Sequence, residues 1–283
     1  MDTLISNVTL ATMNEKMEVL FGAYLGVTDG KITYIAKQPP QEQPETIIDG
    51  TGMVAMPGLV NCHTHLATTV LRNFVDDAPR YEALEQLLTR QEKLDMRSAK
   101  ASALLGSAER LRFGITSVSD LYMCPEATAQ AAAESGIKAN IALAASRFTD
   151  VSEEFDFETD ETCKELCRLT DCWHGYDNGR LQVDAGIYAE YTGNYPLWEG
   201  IAAYACEKEL GMQLHPAQTA QEAESCENRT GRGVAELLDA HRLFCVRTAA
   251  AGCVALSDEE RQLLGKRKAT AVATPIADGK AGL

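Results

Sequence analysis

Between residues 3 and 50 the chain sets down short apolar runs separated by turn residues. Leu4-Ile5 and Val8-Thr9-Leu10 are followed by Ala23-Tyr24-Leu25-Gly26-Val27, an Asp29-Gly30 pair, and Ile32-Thr33-Tyr34-Ile35. Apolar and β-branched runs flanking Asp-Gly predict a β-hairpin, because its tight turn needs residues that accept positive φ. A polar, proline-bearing loop from Gln38 to Glu45 then leads to Ile47-Ile48-Asp49. The pattern predicts a small β-sandwich-like domain over residues 1–54.

From Val54 the rhythm changes to an apolar run, a helical stretch and another apolar run, repeated. The runs are Val54–Leu59, Ile115–Val118, Ile137–Leu143, Leu181–Ile187, Gly211–Leu214, Phe244–Thr248 and Ala269–Ala273. Between them Arg97–Phe113, Glu126–Ser135, Thr159–Trp173, Leu197–Leu210 and Gly233–Ala240 have the length and spacing of helices. Strands that alternate with helices pair in parallel through right-handed crossovers, which makes this an α/β chain. Seven such runs place about seven of the eight units of a (β/α)8 TIM barrel in residues 55–283, incomplete at its C-terminal end. An unclosed barrel leaves strand edges exposed, so a shortened chain, a rearranged fold or an edge covered by a partner is expected, the last with association as a homo-oligomer.

Composition narrows the partners. The 283 residues are 45% apolar and 24% charged, as in a soluble globular protein. A net charge of −15 argues against nucleic acid and anionic membrane surfaces. Met1-Asp2-Thr3 opens no secretory signal, and no apolar run approaches the ~20 residues that span a bilayer, so a cytoplasmic protein is expected. Nine cysteines, an odd number, read as reduced thiols. Cys163, Cys167, Cys172 and His174 lie near one another in sequence but lack tight Cys-x-x-Cys pairs, so helix-face packing is expected of them rather than zinc.

The strongest chemical signal is Met56-Pro57-Gly58-Leu59-Val60-Asn61-Cys62-His63-Thr64-His65, an apolar strand running into His-x-His. Residues i and i+2 of a strand share a face, so two imidazoles converge on one point at the barrel end where active sites lie. Taken alone, the pair is either two metal ligands or two polar loop histidines.

The strings MPGLVNCHTHLATTVLRNFVDDAP, FGITSVSDLYMCPEATAQAAAESGIKA and GIYAEYTGNYPLW resemble the amidohydrolase superfamily. They are nearest the branch that deaminates S-adenosylhomocysteine and methylthioadenosine and that includes the triazine chlorohydrolases. The resemblance implies one divalent metal, zinc first and iron second, held by His63, His65 and a third histidine matched by His215 in GMQLHPAQT. It also implies a small-molecule substrate and hydrolysis at a C–N bond.

Several matched positions depart from the family. Gln218 stands where a proton-shuttling glutamate is expected, and an amide cannot act as a general acid or base. Gly252 replaces a histidine that handles the attacking water, and Thr274-Pro275 replaces His-Asn-Pro. Tyr188 matches a substrate-contacting histidine, and Arg147 and Arg180 are candidate grips for a substrate carboxylate. The aspartate after strand eight has no counterpart; Asp278 reads as a loop carboxylate, and Asp120, at the end of strand two, either faces the site or orients its neighbours.

Two readings follow. One is a metal-dependent deaminase-type hydrolase of adenosine-type or cyclic amidine substrates, with altered proton-transfer groups. The other is a catalytically inactive homologue serving as a binding or partner subunit. The residues favour the first for ancestry and the second for activity, since each general acid–base group typically contributes about 10²–10⁴-fold. The His-x-Glu with Pro-Cys-x-x-Cys signature of cytidine-type deaminases is absent, as are phosphate-binding glycine loops and a Gly-x-Ser-x-Gly elbow.

Overall fold

Asp29 and Gly30, with φ of 50° and 69°, turn β2 (Val19–Thr28) back into β3 (Lys31–Ala36) as the Asp-Gly signal requires. The structure, a computed structural model, describes residues 1–75, 86–87, 89–91, 93–146 and 155–283, in two units, Met1–Leu59 and Val60–Leu283. In the first unit the sheet order is β3-β2-β1-β4, with β1 at Thr3–Ala11 and β4 at Thr46–Asp49. A short β5, Val54–Ala55, also pairs with β1. Leu10, Ala23 and Leu25 form its buried centre.

The second unit is a seven-stranded, nearly closed barrel sheet with helices between the strands, in the order β12-β11-β10-β9-β8-β7-β6. Its strands are β6 (Leu59–Thr64), β7 (Ile115–Tyr122), β8 (Lys138–Leu143), β9 (Leu181–Ala189), β10 (Met212–His215), β11 (Thr248–Ala251) and β12 (Thr270–Val272). Pairing from β7 through β12 is parallel throughout. Helices Met96–Arg112, Pro125–Ser135, Glu161–Trp173 and Tyr195–Glu207 lie close to the expected ones.

Two expected strands shift. Val54-Ala55 pairs with β1, Pro57 has no amide hydrogen to give a ladder, and the first barrel strand starts only at Leu59. Phe244 is buried outside any strand, and β11 is instead the small-residue run Thr-Ala-Ala-Ala at 248–251. The helix Ala220–Thr230 was not expected, although Thr219 and Glu222 form a capping box at its start.

Alternation along the strands builds two layers. Val183, Ala185 and Ile187 of β9, with Ile141 of β8 and Leu214 of β10, face the helices and bury against Leu166, Leu197, Trp198 and Ile201. The opposite face points into the barrel, where Leu121, Ala142 and Ala144 pack with Met123 and Tyr188. Lower down the interior is polar: Asp184, 2% exposed, accepts from Gly211 N, Gln213 Nε2 and Arg247 Nη2 at 3.1, 3.2 and 2.9 Å.

Gly186 sits where the interior is tightest. A Cβ there would lie 2.7 Å from Leu121 Cδ1, 2.9 Å from Leu143 O and 3.1 Å from Gln213 O. Two of these are strand carbonyls that cannot swing aside, so Gly186→Ala is expected to lower stability by about 1–3 kcal/mol in urea unfolding. An unchanged midpoint would show that the barrel is more loosely packed than described.

Candidate metal centre

Because β6 alternates, Thr64 is buried while His63 and His65 turn to the other side, at and just past the strand's C-terminal end. His215 is the last residue of β10. The three rings meet: their centroids are 4.9 Å apart for His63–His65, 4.7 Å for His63–His215 and 5.5 Å for His65–His215. One ring nitrogen of each lies within 4.8 Å of the others, and they are the one group of three or more potential ligands among the described residues.

Backbone carbonyls settle the tautomers. His65 Nδ1 bonds Leu121 O of β7, and His215 Nδ1 bonds Tyr188 O of β9 at 2.5 Å. A carbonyl only accepts, so both Nδ1 atoms carry hydrogen, which leaves Nε2 as the nitrogen with a lone pair for a metal. His63 Nε2 stands 2.9 Å from His215 Nε2. Burial, followed by the neighbouring His215 and His65, pushes the His63 pKa down to about 2. Burial likewise lowers the pKa of His65. Three imidazoles crowded with ring nitrogens inward are the donor set that a divalent cation takes at about 2.0–2.1 Å each. The residues therefore fit a metal.

Tyr188 joins this group, its ring centroid 5.4 Å from that of His215. Gln218 turns its Nε2 to Asp278 Oδ1 at 3.1 Å. Its side chain also covers Gly252, whose φ is 74° and where a Cβ would meet Gln218 Cγ at 3.0 Å. Asp278 further accepts from Thr274 Oγ1 at 2.8 Å and from Thr274 N at 3.3 Å, and it is not in the three-histidine group.

The structure does not bring Arg180 to this place. It precedes β9 at the strand's other end, where Nη1 donates to Ala132 O and Ile137 O at 2.9 Å each while Nε pairs with Asp177 at 2.6 Å. In place of the expected substrate grip, its guanidinium serves the carbonyls at the end of the helix Pro125–Ser135. Arg147 lies outside the described residues. Cys163 is buried and Cys172 exposed, so the cysteine group near His174 does not converge.

Sequence reasoning missed the carbonyl anchors and Arg110. Arg110 Nη2 donates to Thr64 Oγ1 at 2.9 Å, between the two histidines in sequence. Asp120, expected to orient its neighbours, accepts from Leu66 N at 2.6 Å.

The Amidohydrolase family matches residues 54–282. The 5-methylthioadenosine/S-adenosylhomocysteine deaminase of Caldicellulosiruptor saccharolyticus is 33% identical over 287 residues, covering 100% of this chain and 64% of that protein. An adenosine deaminase from Xanthomonas campestris with bound zinc superposes with a TM-score of 0.88 at 24% identity, over 99% of this chain and 64% of the other. For the atrazine chlorohydrolase of Arthrobacter aurescens complexed with zinc the TM-score is 0.87, the identity 22% and the coverage 99% and 67%. These two likenesses establish the fold. The chain spans about 64% of the length of the curated relatives it matches.

The part-buried His63 gives the metal-free chain a pH dependence with a definite sign. Its folded pKa, about 2, lies below the ordinary 6.5, so under pH 6.5 the unfolded chain takes up a proton that the folded one refuses. The contribution is full above 6.5 and declines as the pH falls. Urea unfolding of chelator-treated protein should show stability dropping from about pH 6.5 to about pH 5, and His63→Gln should make that drop about 1.5 kcal/mol smaller. Equal drops in both proteins would mean that His63 is solvated.

Proposed function

The chain belongs to the amidohydrolase family, and we propose that it holds one divalent metal ion, zinc first and iron second, through His63, His65 and His215. We further propose that it hydrolyses a C–N bond of an adenosine-type or cyclic amidine substrate. The observation that carries this reading is the convergence of three imidazoles, one nitrogen from each within 4.8 Å of the others. A zinc ion held by three histidines supplies Lewis acidity and a nucleophilic water at neutral pH.

The chain's own residues set how well that chemistry is used. His65 and His215 are held with Nε2 free by the carbonyls of Leu121 and Tyr188. The Tyr188 ring lies beside His215 and offers a flat apolar face with a hydroxyl for a heterocyclic substrate. Gln218 can donate and accept hydrogen bonds to a bound ring, but it moves no proton. Gly252 presents no side chain, so proton transfer is left to solvent. Two absent acid–base groups, at about 10²–10⁴-fold each, place turnover far below what an intact site delivers.

The same two positions support a second reading, a chain that binds metal and ligand without turnover. Gln218 is drawn to Asp278 at 3.1 Å and packs against Gly252, and neither Gln218 nor Gly252 has a proton-transfer group to offer a substrate. Adenosine-type substrates rest on the named relatives. A reducing, cytoplasmic setting rests on the odd number of cysteines, nine, in the sequence. Among the described residues no helix is long and apolar enough to cross a membrane.

Elemental analysis of the purified chain beside the His63→Ala/His65→Ala double variant tests the metal, and ammonia release from methylthioadenosine and S-adenosylhomocysteine tests the reaction. Close to one zinc or iron per chain is expected, lost in the variant, with slow ammonia release that Gln218→Glu raises about 100-fold. Background metal in both proteins overturns the reading. Metal without ammonia from either the parent or Gln218→Glu leaves the non-catalytic reading in its place.

A further inference from the structure

The histidine-bearing segment is gripped from the side away from the metal centre. Asp120 is wholly buried on the helix-facing side of β7, between Val118 and Tyr122, which both pack into the apolar layer. A carboxylate in such surroundings carries a desolvation cost that a fold does not sustain for packing alone. Its Oδ2 accepts from the amide of Leu66, the residue after His65, at 2.6 Å, and the Thr128 hydroxyl lies beside it. The next residue of β7, Leu121, turns its carbonyl to His65 Nδ1. Two consecutive residues of one strand thus hold two consecutive residues of the metal segment, one through the backbone amide and one through the ring.

The second half of the grip comes from the helix Met96–Arg112. Arg110 donates from Nη2 to Thr64 Oγ1 at 2.9 Å and from Nη1 to Gly106 O at 3.0 Å, which fixes the residue between His63 and His65 to that helix. Gly106 allows the approach, since a Cβ there would lie 2.7 Å from Thr69 Oγ1. Ser102 Oγ accepts from Val70 N at 2.8 Å one turn earlier in the same helix. A slide of residues 63–66 along β7 would break the Asp120, Leu121 and Arg110 contacts together.

We propose that Asp120, with Arg110 acting through Thr64, is a positioning residue for the metal centre: it holds the Leu66 amide so that His65 stays seated on the Leu121 carbonyl with Nε2 directed at the other two rings. This rests on the metal reading above. Asp120 itself touches neither metal nor substrate, and it acts by hydrogen-bond geometry. Asparagine, which keeps an acceptor oxygen for Leu66 N and can give its NH2 to Thr128, should therefore serve nearly as well.

The zinc dissociation constant, measured by chelator competition on the 283-residue chain, tests this. Asp120→Ala is expected to weaken zinc about 10–100-fold, and Asp120→Asn to stay within about threefold of the parent, the range outer hydrogen-bond partners of metal-bound histidines command. Thr64→Val removes Arg110's acceptor without altering Asp120, and a loss of about threefold or more is expected from it even where Asp120→Ala does not fold. The visible spectrum of the cobalt(II) form should shift in Asp120→Ala and match the parent in Asp120→Asn, a readout that lowered stability alone does not move. If the parent binds no zinc, the metal reading itself falls. If the parent binds zinc and Asp120→Ala and Thr64→Val bind it equally tightly, or Asp120→Asn is as weak as Asp120→Ala, the metal reading stands and the positioning role is overturned.

Discussion

The centre depends on two imidazole N–H groups that donate to strand carbonyls, His65 to Leu121 of β7 and His215 to Tyr188 of β9. Because the acceptors are main-chain atoms, the aim of each ring is set by strand register and not by another mobile side chain. In β10 the register pairs Met212 with Ala185 and His215 with Ala189. A one-residue slip would turn every inward side chain outward and remove both the ring and its acceptor. The tight interior around Gly186, two residues before Tyr188, makes such a slip costly, so packing within the barrel and the chemistry at its mouth are one constraint.

Much of this was legible in the sequence, and what was not has identifiable causes. His63 and His65 announce themselves because i and i+2 on a strand share a face, and His215 because a short apolar strand ends on it. The carbonyls that orient them leave no side-chain signature at all. Arg180 misled because an arginine beside a strand looks the same whichever end of the barrel it occupies. Only the fold shows it spent on Ala132 and Ile137 carbonyls. The strand expected at Phe244–Thr248 was placed early because Phe244 and Val246 dominate the local hydrophobicity, whereas the observed strand is made of Thr248 and alanines that suit the crowded interior.

The departures from the family's proton-handling pattern are physically coupled. At position 252 the backbone is left-handed, so any side chain there is strained, and the space a Cβ would enter is filled by Gln218. Gln218 in turn presents an amide N–H to Asp278, where a glutamate would set two carboxylates against each other and raise a pKa. The two positions are linked: a histidine at 252 needs the glutamine moved, and a glutamate at 218 would stand against Asp278 with its pKa raised, the direction a general acid needs. The three residues form one packed arrangement with its own hydrogen bonding rather than separate losses.

The strand that carries His63 and leads into His65 lies at one end of the sheet path, as β12 does at the other. Among the described residues β6 ends the sheet path, with β7 as its sheet neighbour, and Leu59 and Val60 are 51% and 62% exposed. The third imidazole comes from β10, four strands along the same sheet, so an ion shared by His63, His65 and His215 ties an edge strand across the barrel interior to a central one. No backbone ladder makes that connection. An ion that binds only the folded chain adds RT ln(1 + [M]/Kd), about 4 kcal/mol at a thousand times Kd, and here the gain falls where the sheet lacks a second neighbour. The hold on residues 64–66 from Asp120 and Arg110 works on the same end strand from outside. Metal affinity and barrel integrity are therefore coupled through β6, and whatever loosens that strand weakens both.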